Sequence, residues 1–152
     1  MRKRHIFLAI GLLSLTMLSG CDLIGQWLGL TATVTGSVSG QYWSFQSAAT
    51  IKVTDGSKTF SHSFTISGGN SQTGTFSIPN VPKGSYKVTV TLKETWSTTP
   101  GLGYPKITVN GGSPITGSFA LTGSGPYTLT ISASNLSIQG DSTITIDMGN
   151  MG

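Results

Sequence analysis

Apolar and polar residues alternate along most of this chain with a period of two. In the clearest case Tyr86, Val88, Val90 and Leu92 fall on one side, while Ser85, Lys87, Thr89 and Thr91 fall on the other. Alternation of this kind marks a strand with one face buried. Comparable segments recur near residues 31–38, 48–54, 58–66, 72–78, 105–109, 115–121, 127–133 and 142–148, separated by clusters of Gly, Pro, Asn and Ser that read as turns. No stretch carries a helical period of useful length. Short strands at even spacing predict an all-β fold, an antiparallel β-sandwich of about seven to nine strands with Greek-key or meander connections.

The first residues follow a different pattern. Arg2, Lys3 and Arg4 precede an apolar run from Ile6 to Leu18 that only Ser14 and Thr16 interrupt. A transmembrane helix needs roughly 20 apolar residues. This run is shorter, and a basic start followed by a short apolar core is the grammar of a signal peptide. The run closes in Leu18, Ser19, Gly20 and Cys21, which resembles the bacterial lipobox. That resemblance implies cleavage before Cys21, acylation of the cysteine with palmitate-type chains, and anchoring of a cell-envelope lipoprotein on the extracytoplasmic side of a membrane. Cys21 is the only cysteine, so it has no disulfide partner within the chain. Asp22 resembles the signal that retains lipoproteins in the inner membrane of enterobacteria, and the choice between inner and outer membrane stays open.

Processing changes the charge balance. Nine basic side chains face five acidic ones, and loss of Arg2, Lys3 and Arg4 leaves 9 − 3 = 6 against 5. A nearly neutral mature protein gives no electrostatic reason to bind nucleic acid. The remaining 152 − 20 = 132 residues suit one domain with a core that needs no disulfide. The chain thus divides into a signal peptide at 1–20, the lipidated Cys21 and a short tether to residue 30, and a single β domain over 31–152. Trp27, within the tether, either rests at a lipid interface or packs on the first strand.

An internal repeat runs through the domain. Residues 65–78 read TISGGNSQTGTFSI and, 43 positions later, residues 108–121 read TVNGGSPITGSFAL without a gap. GSYKVTV at Gly84 is echoed by GPYTLTI at Gly125. Duplicated hairpins need neighbours to bury their apolar faces and therefore belong to one folding unit. The segment from Val34 to Leu92 also contains VTGSVSG, AATIKVTDG and TGTFSIPNVPKGSYKVTVTL. These resemble a carboxypeptidase regulatory-like domain of the transthyretin-like and collagen-adhesin B-type group, with Asn80, Pro82, Gly84 and Tyr86 matching its closing hairpin. The resemblance divides the domain into a carboxypeptidase regulatory-like part at 31–93, carried by Val34 to Leu92, and a partial repeat at 94–152, and it implies a sandwich that commonly serves as a non-catalytic binding or spacer module.

Candidate chemistry is sparse. After processing the carboxylates are Asp22, Asp55, Glu94, Asp141 and Asp147, none close in sequence, with His62 as the one histidine. His62 falls in phase with Phe60, Phe64 and Ile66 and reads as a structural histidine on an apolar face. There is no Gly-x-Ser-x-Gly elbow and no phosphate-binding loop. Asp55 and Asp141, both in turns, are the only candidates for a weak calcium site. Lys52, Lys87 and Lys106 alternate against apolar neighbours and should point outward, which argues against the lysine–asparagine isopeptide bond of some collagen-adhesin domains. No enzymatic activity, metal or cofactor is expected.

The remaining signal is aromatic. Tyr42, Trp43 and Phe45 lie between the first two strands, and Trp96 and Tyr104 bracket the long connection after the fifth. With alternating strand directions the two loops meet at the end of the domain away from Cys21. Exposed rings there could stack on sugars or anchor a protein partner, or they could fold back to cap the core. The expected function is a membrane-anchored module binding carbohydrate or protein. The alternative is a purely structural envelope lipoprotein or assembly subunit that pairs through strand edges. Oligomeric state is left open.

Overall fold

The computed structural model describes residues 24, 25, 27–41, 47–68, 71–93, 104–124 and 127–150. The all-β expectation holds. Among the described residues ten strands are formed: β1 (Thr31–Gln41), β2 (Ser47–Thr54), β3 (Thr59–Gly68), β4 (Ser71–Pro82), β5 (Gly84–Lys93), β6 (Lys106–Val109), β7 (Ile115–Thr116), β8 (Ser118–Thr122), β9 (Thr128–Ile138) and β10 (Ser142–Asn150). They pair in the single order β7-β6-β10-β1-β4-β3-β2-β5-β9-β8. Within it β1-β4-β3-β2 and β4-β3-β2-β5 are overlapping Greek keys.

Three features differ from the expected antiparallel sandwich. First, β1 and β10 run parallel, with Val34 opposite Ser142 and Val38 opposite Ile146. Second, the anticipated strand at 115–121 is split at Gly117, which raises the count to ten. Third, the split brings the two ends of the pairing order together. β7 pairs with β6 while β8, one residue further on, pairs with β9, so the ends of the strand order meet and the sheet is nearly closed into a barrel.

The interior is mainly apolar and the outward strand positions mainly polar. In β2 the inward positions Ala49, Ile51 and Val53 are buried and Lys52 is exposed; in β5, Tyr86, Val88, Val90 and Leu92 are buried. The core adds Val34 and Val38 from β1, Ile144, Ile146 and Met148 from β10, and Leu129 and Ile131 from β9. Lys52, Lys87 and Lys106 all point outward, as the two-residue period requires.

Two bulges extend strands beyond the point where alternation stops. In β9 the buried positions run Leu129, Ile131, Ala133 and then Leu136, Ile138, a change of phase across Ser134 and Asn135. The register against β5 shifts at the same place, between Tyr86 and Val88. In β4 the buried set passes from Ile78 to Val81, and the register against β1 shifts there too. Each bulge holds an asparagine in the left-handed region, Asn80 at φ 61° and Asn135 at φ 63°. Asparagine tolerates that conformation better than other residues with a Cβ. A bulge bends its strand and increases local twist, which helps the sheet close.

Close packing of the parallel pair depends on Gly36. A Cβ at this position would strike the carbonyl oxygen of Ile144 on β10 and lie 2.6 Å from Cζ of Phe76. Phe76, directly opposite Gly36 on β4, covers the space that a side chain would have filled. Phe64 packs beside it with ring centroids 5.8 Å apart, and His62 stacks on Phe64 at 6.5 Å. His62 is therefore half-buried on the inward face of β3 in phase with its aromatic neighbours.

The repeated motif makes both places where pairing changes partner. The ladder between β3 and β4 covers only Ser67↔Thr73 and Gly68↔Gln72 and stops at Gly74. The ladder between β6 and β7 covers Lys106↔Thr116 and Ile107↔Ile115 and stops at Gly117, the residue aligned with Gly74 in the repeat. At Gly74 a Cβ would lie 2.7 Å from the Phe64 ring, and at Gly117 it would lie 3.2 Å from Ile107 and Pro105. In both copies Thr-Gly ends a hairpin ladder at a close approach, to β3 at Gly74 and to Pro105 and Ile107 at Gly117.

Candidate functional site at the two ends of the barrel

The register assigns the strand ends to opposite rims. Thr31, Pro82, Gly84, Ile138 and Ser142 lie at the rim where the chain comes in, because Thr31 faces Pro82, Gly84 faces Ile138, and Ser142 opens the strand parallel to β1. Gln41, Ser71, Lys93, Thr128 and Asn150 lie at the far rim by the same pairings. Ser47 opens β2 opposite Ile66 at the far rim as well.

Among the residues that the sequence singles out, Cys21, Tyr42, Trp43, Phe45 and Trp96 lie outside the described residues. Tyr104 is described and is 77% exposed, two residues before β6. Segment 42–46 joins Gln41 to Ser47 and segment 94–103 joins Lys93 to Tyr104, so the strands flanking both segments end on the far rim.

Just below that rim the outer face of β2, β3 and β5 forms a shallow depression of ≈ 510 Å³. Its polar lining includes Thr50, Lys52, Ser63, Thr65, Thr91 and Lys93. Thr50 Oγ1 and Ser63 Oγ are 3.2 Å apart across β2 and β3. Two lysine ammonium groups beside a row of hydroxyls offer hydrogen-bond donors and acceptors to a polar ligand. Sequence reasoning missed this surface. Its signal was present in the outward half of each alternating strand, but adjacency of β3, β2 and β5 is a matter of topology. Ala48 and Lys93, which face each other across β2 and β5 and also line the depression, lie close to the ends of segments 42–46 and 94–103.

The three carboxylates among the described residues, Asp55, Asp141 and Asp147, accept main-chain hydrogen bonds. Asp55 Oδ1 accepts from Ser57 N at 2.8 Å, Ser57 Oγ at 2.9 Å and Lys58 N at 2.7 Å, closing the β2–β3 turn. The Lys58 and Ser57 donors hold its carboxyl below the usual carboxylate range. Asp141 Oδ1 accepts from Thr33 N at 2.7 Å, and Asp147 Oδ1 accepts from Gly149 N at 2.9 Å. Among the described residues no three of His, Cys, Asp and Glu come together in a metal-holding group. The two turn carboxylates considered for calcium are each occupied by main-chain donors.

At the near rim Tyr86 closes the β4–β5 connection. Its hydroxyl donates to the Pro82 carbonyl at 2.7 Å, a side chain to main chain bond like the tyrosine corner of other β proteins. Burial, and secondarily the charge of Asp55, push its pKa up. The adjoining residue ties this corner to the tether, since Lys83 N donates to Leu30 O at 3.2 Å. The tether itself forms one helical turn, with Leu28 N bonded to Ile24 O at 2.9 Å and Leu30 N to Gly25 O at 2.8 Å. Gly29 at φ 64° ends the turn, in the pattern of a Schellman cap. Trp27 is 87% exposed, so the alternative in which it packs on the first strand does not hold.

Comparison with known protein families, with curated proteins and with solved structures finds no match to this chain.

Proposed function

We propose that this chain is a lipid-anchored, non-catalytic, extracytoplasmic binding module, tethered through Cys21 and presenting its far rim to carbohydrate or protein. The observation that carries the proposal is the separation of the two rims. The chain comes in at Thr31, while the strand ends flanking Tyr42, Trp43, Phe45 and Trp96, together with exposed Tyr104, belong to the opposite side. The depression lined by hydroxyls and by Lys52 and Lys93 adjoins that side. Aromatic residues in the segments between these strand ends, together with a hydroxyl-rich surface, suit a sugar, which offers apolar ring faces for stacking and hydroxyls for hydrogen bonding. The likeness of residues 34–92 to carboxypeptidase regulatory-like modules adds to the same reading, because such modules commonly bind or space without catalysis.

A glycan array and a pull-down with the processed, detergent-solubilised protein test it, with the double variant Trp43→Ala, Trp96→Ala as control. The expected result is a retained ligand class that the double variant loses. Identical profiles for the two proteins would remove the far-rim proposal.

One observation favours the structural alternative. β3 is ten residues long, yet its ladder with β4 covers only Ser67 and Gly68. Its outward residues Thr59, Ser61, Ser63 and Thr65 are exposed and uncharged. A strand edge without charge or proline is suited to pairing with another strand. Placing Pro at Ser61 would abolish such an assembly, whereas glycan retention through the far rim would be unaffected.

A further inference from the structure

The tether carries a cluster of exposed apolar side chains. Ile24 is 46%, Trp27 87%, Leu28 56% and Leu30 60% exposed. No residue from Ile24 to Leu30 is charged. A short helical turn with four solvent-facing apolar side chains loses free energy in water, and it would be expected to collapse onto the domain if that were its only neighbour. It does not collapse, because its geometry is set by main-chain bonds. The turn is closed at Ile24 and Leu28, ended at Gly29, and joined to the β4–β5 corner through Leu30 and Lys83. The cluster is therefore held at the near rim with its side chains directed away from the core.

We infer that this turn is a second membrane contact, seated in the headgroup region of the bilayer and fixing the orientation of the barrel. The inference rests on the lipid-anchor reading of Cys21. Ile24 is three residues beyond that cysteine, and three extended residues span at most about 10 Å. With the acyl chains of Cys21 inserted, the turn cannot leave the neighbourhood of the interface, so lipid is the first apolar material it meets. Its chemistry suits that place. Indole rings favour the boundary between hydrocarbon and water, and Leu and Ile can reach the acyl region beneath. Lys83, exposed beside the turn, has its Nζ 3.9 Å from the position of a Cβ on Gly29. There it can meet lipid phosphates while the apolar side chains go deeper. A lipid anchor alone leaves a domain free to tilt about a flexible link. A turn bonded to Lys83 and Leu30 transmits the membrane plane to β1, β4 and β5, and so keeps the far rim pointing outward.

The test uses the full processed protein reconstituted in phosphatidylcholine–phosphatidylglycerol vesicles, with and without dibrominated phosphatidylcholine as a short-range quencher, and mass spectrometry of Cys21. The chain has three tryptophans. Trp27 should be quenched and Trp43 and Trp96 should not, so about a third of the emission is lost, and Trp27→Phe abolishes the loss. Trp27 is 87% exposed, so this substitution should leave the fold intact, which far-ultraviolet circular dichroism checks. Acylated Cys21 with equal quenching of wild type and variant would overturn the contact while leaving the anchor. An unmodified Cys21 would overturn the anchor and the contact together. A dimer that depends on Trp27 and shows no lipid quenching would overturn the contact in favour of a second copy of the chain.

Discussion

Removing the single oxygen of Tyr86 probes the corner that joins the barrel to its tether. Tyr86 is 3% exposed and its hydroxyl donates to Pro82 O at 2.7 Å. Tyr86→Phe keeps the ring and its burial, so the hydrophobic contribution is unchanged and only the hydrogen bond is lost. A net hydrogen bond contributes about 1 kcal/mol, rising to about 3 kcal/mol where the abandoned partner stays dry. Pro82 is only half-buried, so water can take the place of the hydroxyl and the expected cost is about 1–1.5 kcal/mol. For a domain of this size that lowers Tm by about 3–6 °C. Tyr86→Ala, which also empties the ring site, should cost about 3–5 kcal/mol.

The same substitution has a pH signature. Burial, and then the Asp55 charge, keep the folded hydroxyl protonated above the ordinary value of 10.0. An unfolded tyrosine begins to ionise first, so the stabilisation is fully present below about pH 10 and declines as pH rises through the raised folded pKa. Phenylalanine has no such dependence. Thermal and urea unfolding followed by far-ultraviolet circular dichroism, at pH 7 and stepwise from pH 9 to 11, should show wild type losing its advantage at the alkaline end. A variant as stable as wild type at pH 7, or a gap that stays constant to pH 11, would refute the corner as described.

Gly36→Ala should cost at least about 3 kcal/mol, the upper end of overpacking effects, because its Cβ meets a main-chain carbonyl of β10 that no rotamer change can clear. Gly140→Ala, where a Cβ meets nothing within 4 Å, should stay within about 0.5 kcal/mol, and chemical denaturation compares the two. Ile51→Ala, at a fully buried position of β2, should cost about 2–5 kcal/mol, whereas Lys52→Ala beside it should change little. Asp55→Ala should lower the unfolding midpoint at neutral pH. Its folded pKa lies below the ordinary 3.8, so the stabilisation exists above that value and disappears as pH falls through the lower folded pKa; unfolding curves of the two proteins should therefore converge in strong acid.

Much of the architecture was legible from alternation alone, and the misses have local causes. β2, β5 and β10 follow a period of two without interruption, and their limits agree with the sequence reading to within a few residues. β4 and β9 run on to Pro82 and Ile138, beyond the expected 78 and 133, because bulges at Asn80 and Asn135 invert the phase. A phase change looks like a strand end when only the order of residues is visible. The helical turn at the tether was also missed, being too short to show a period.

The sequence by itself determined most of the strands, their inward and outward faces and the outward lysines, because each depends on side-chain type and near neighbours. Only the tertiary structure decided that β1 and β10 run parallel, that Gly117 passes the chain from β6 to β9, and that Thr50, Ser63 and Lys93 share one surface. Those outcomes depend on which strands become neighbours. Strand pairing is made by backbone hydrogen bonds common to all residues, so its partners are selected by closure and core packing over long separations. Trp27 shows the division most clearly: its identity suggested either lipid or the first strand, and the main-chain bonds around Gly29 and Lys83 left it facing away from the barrel.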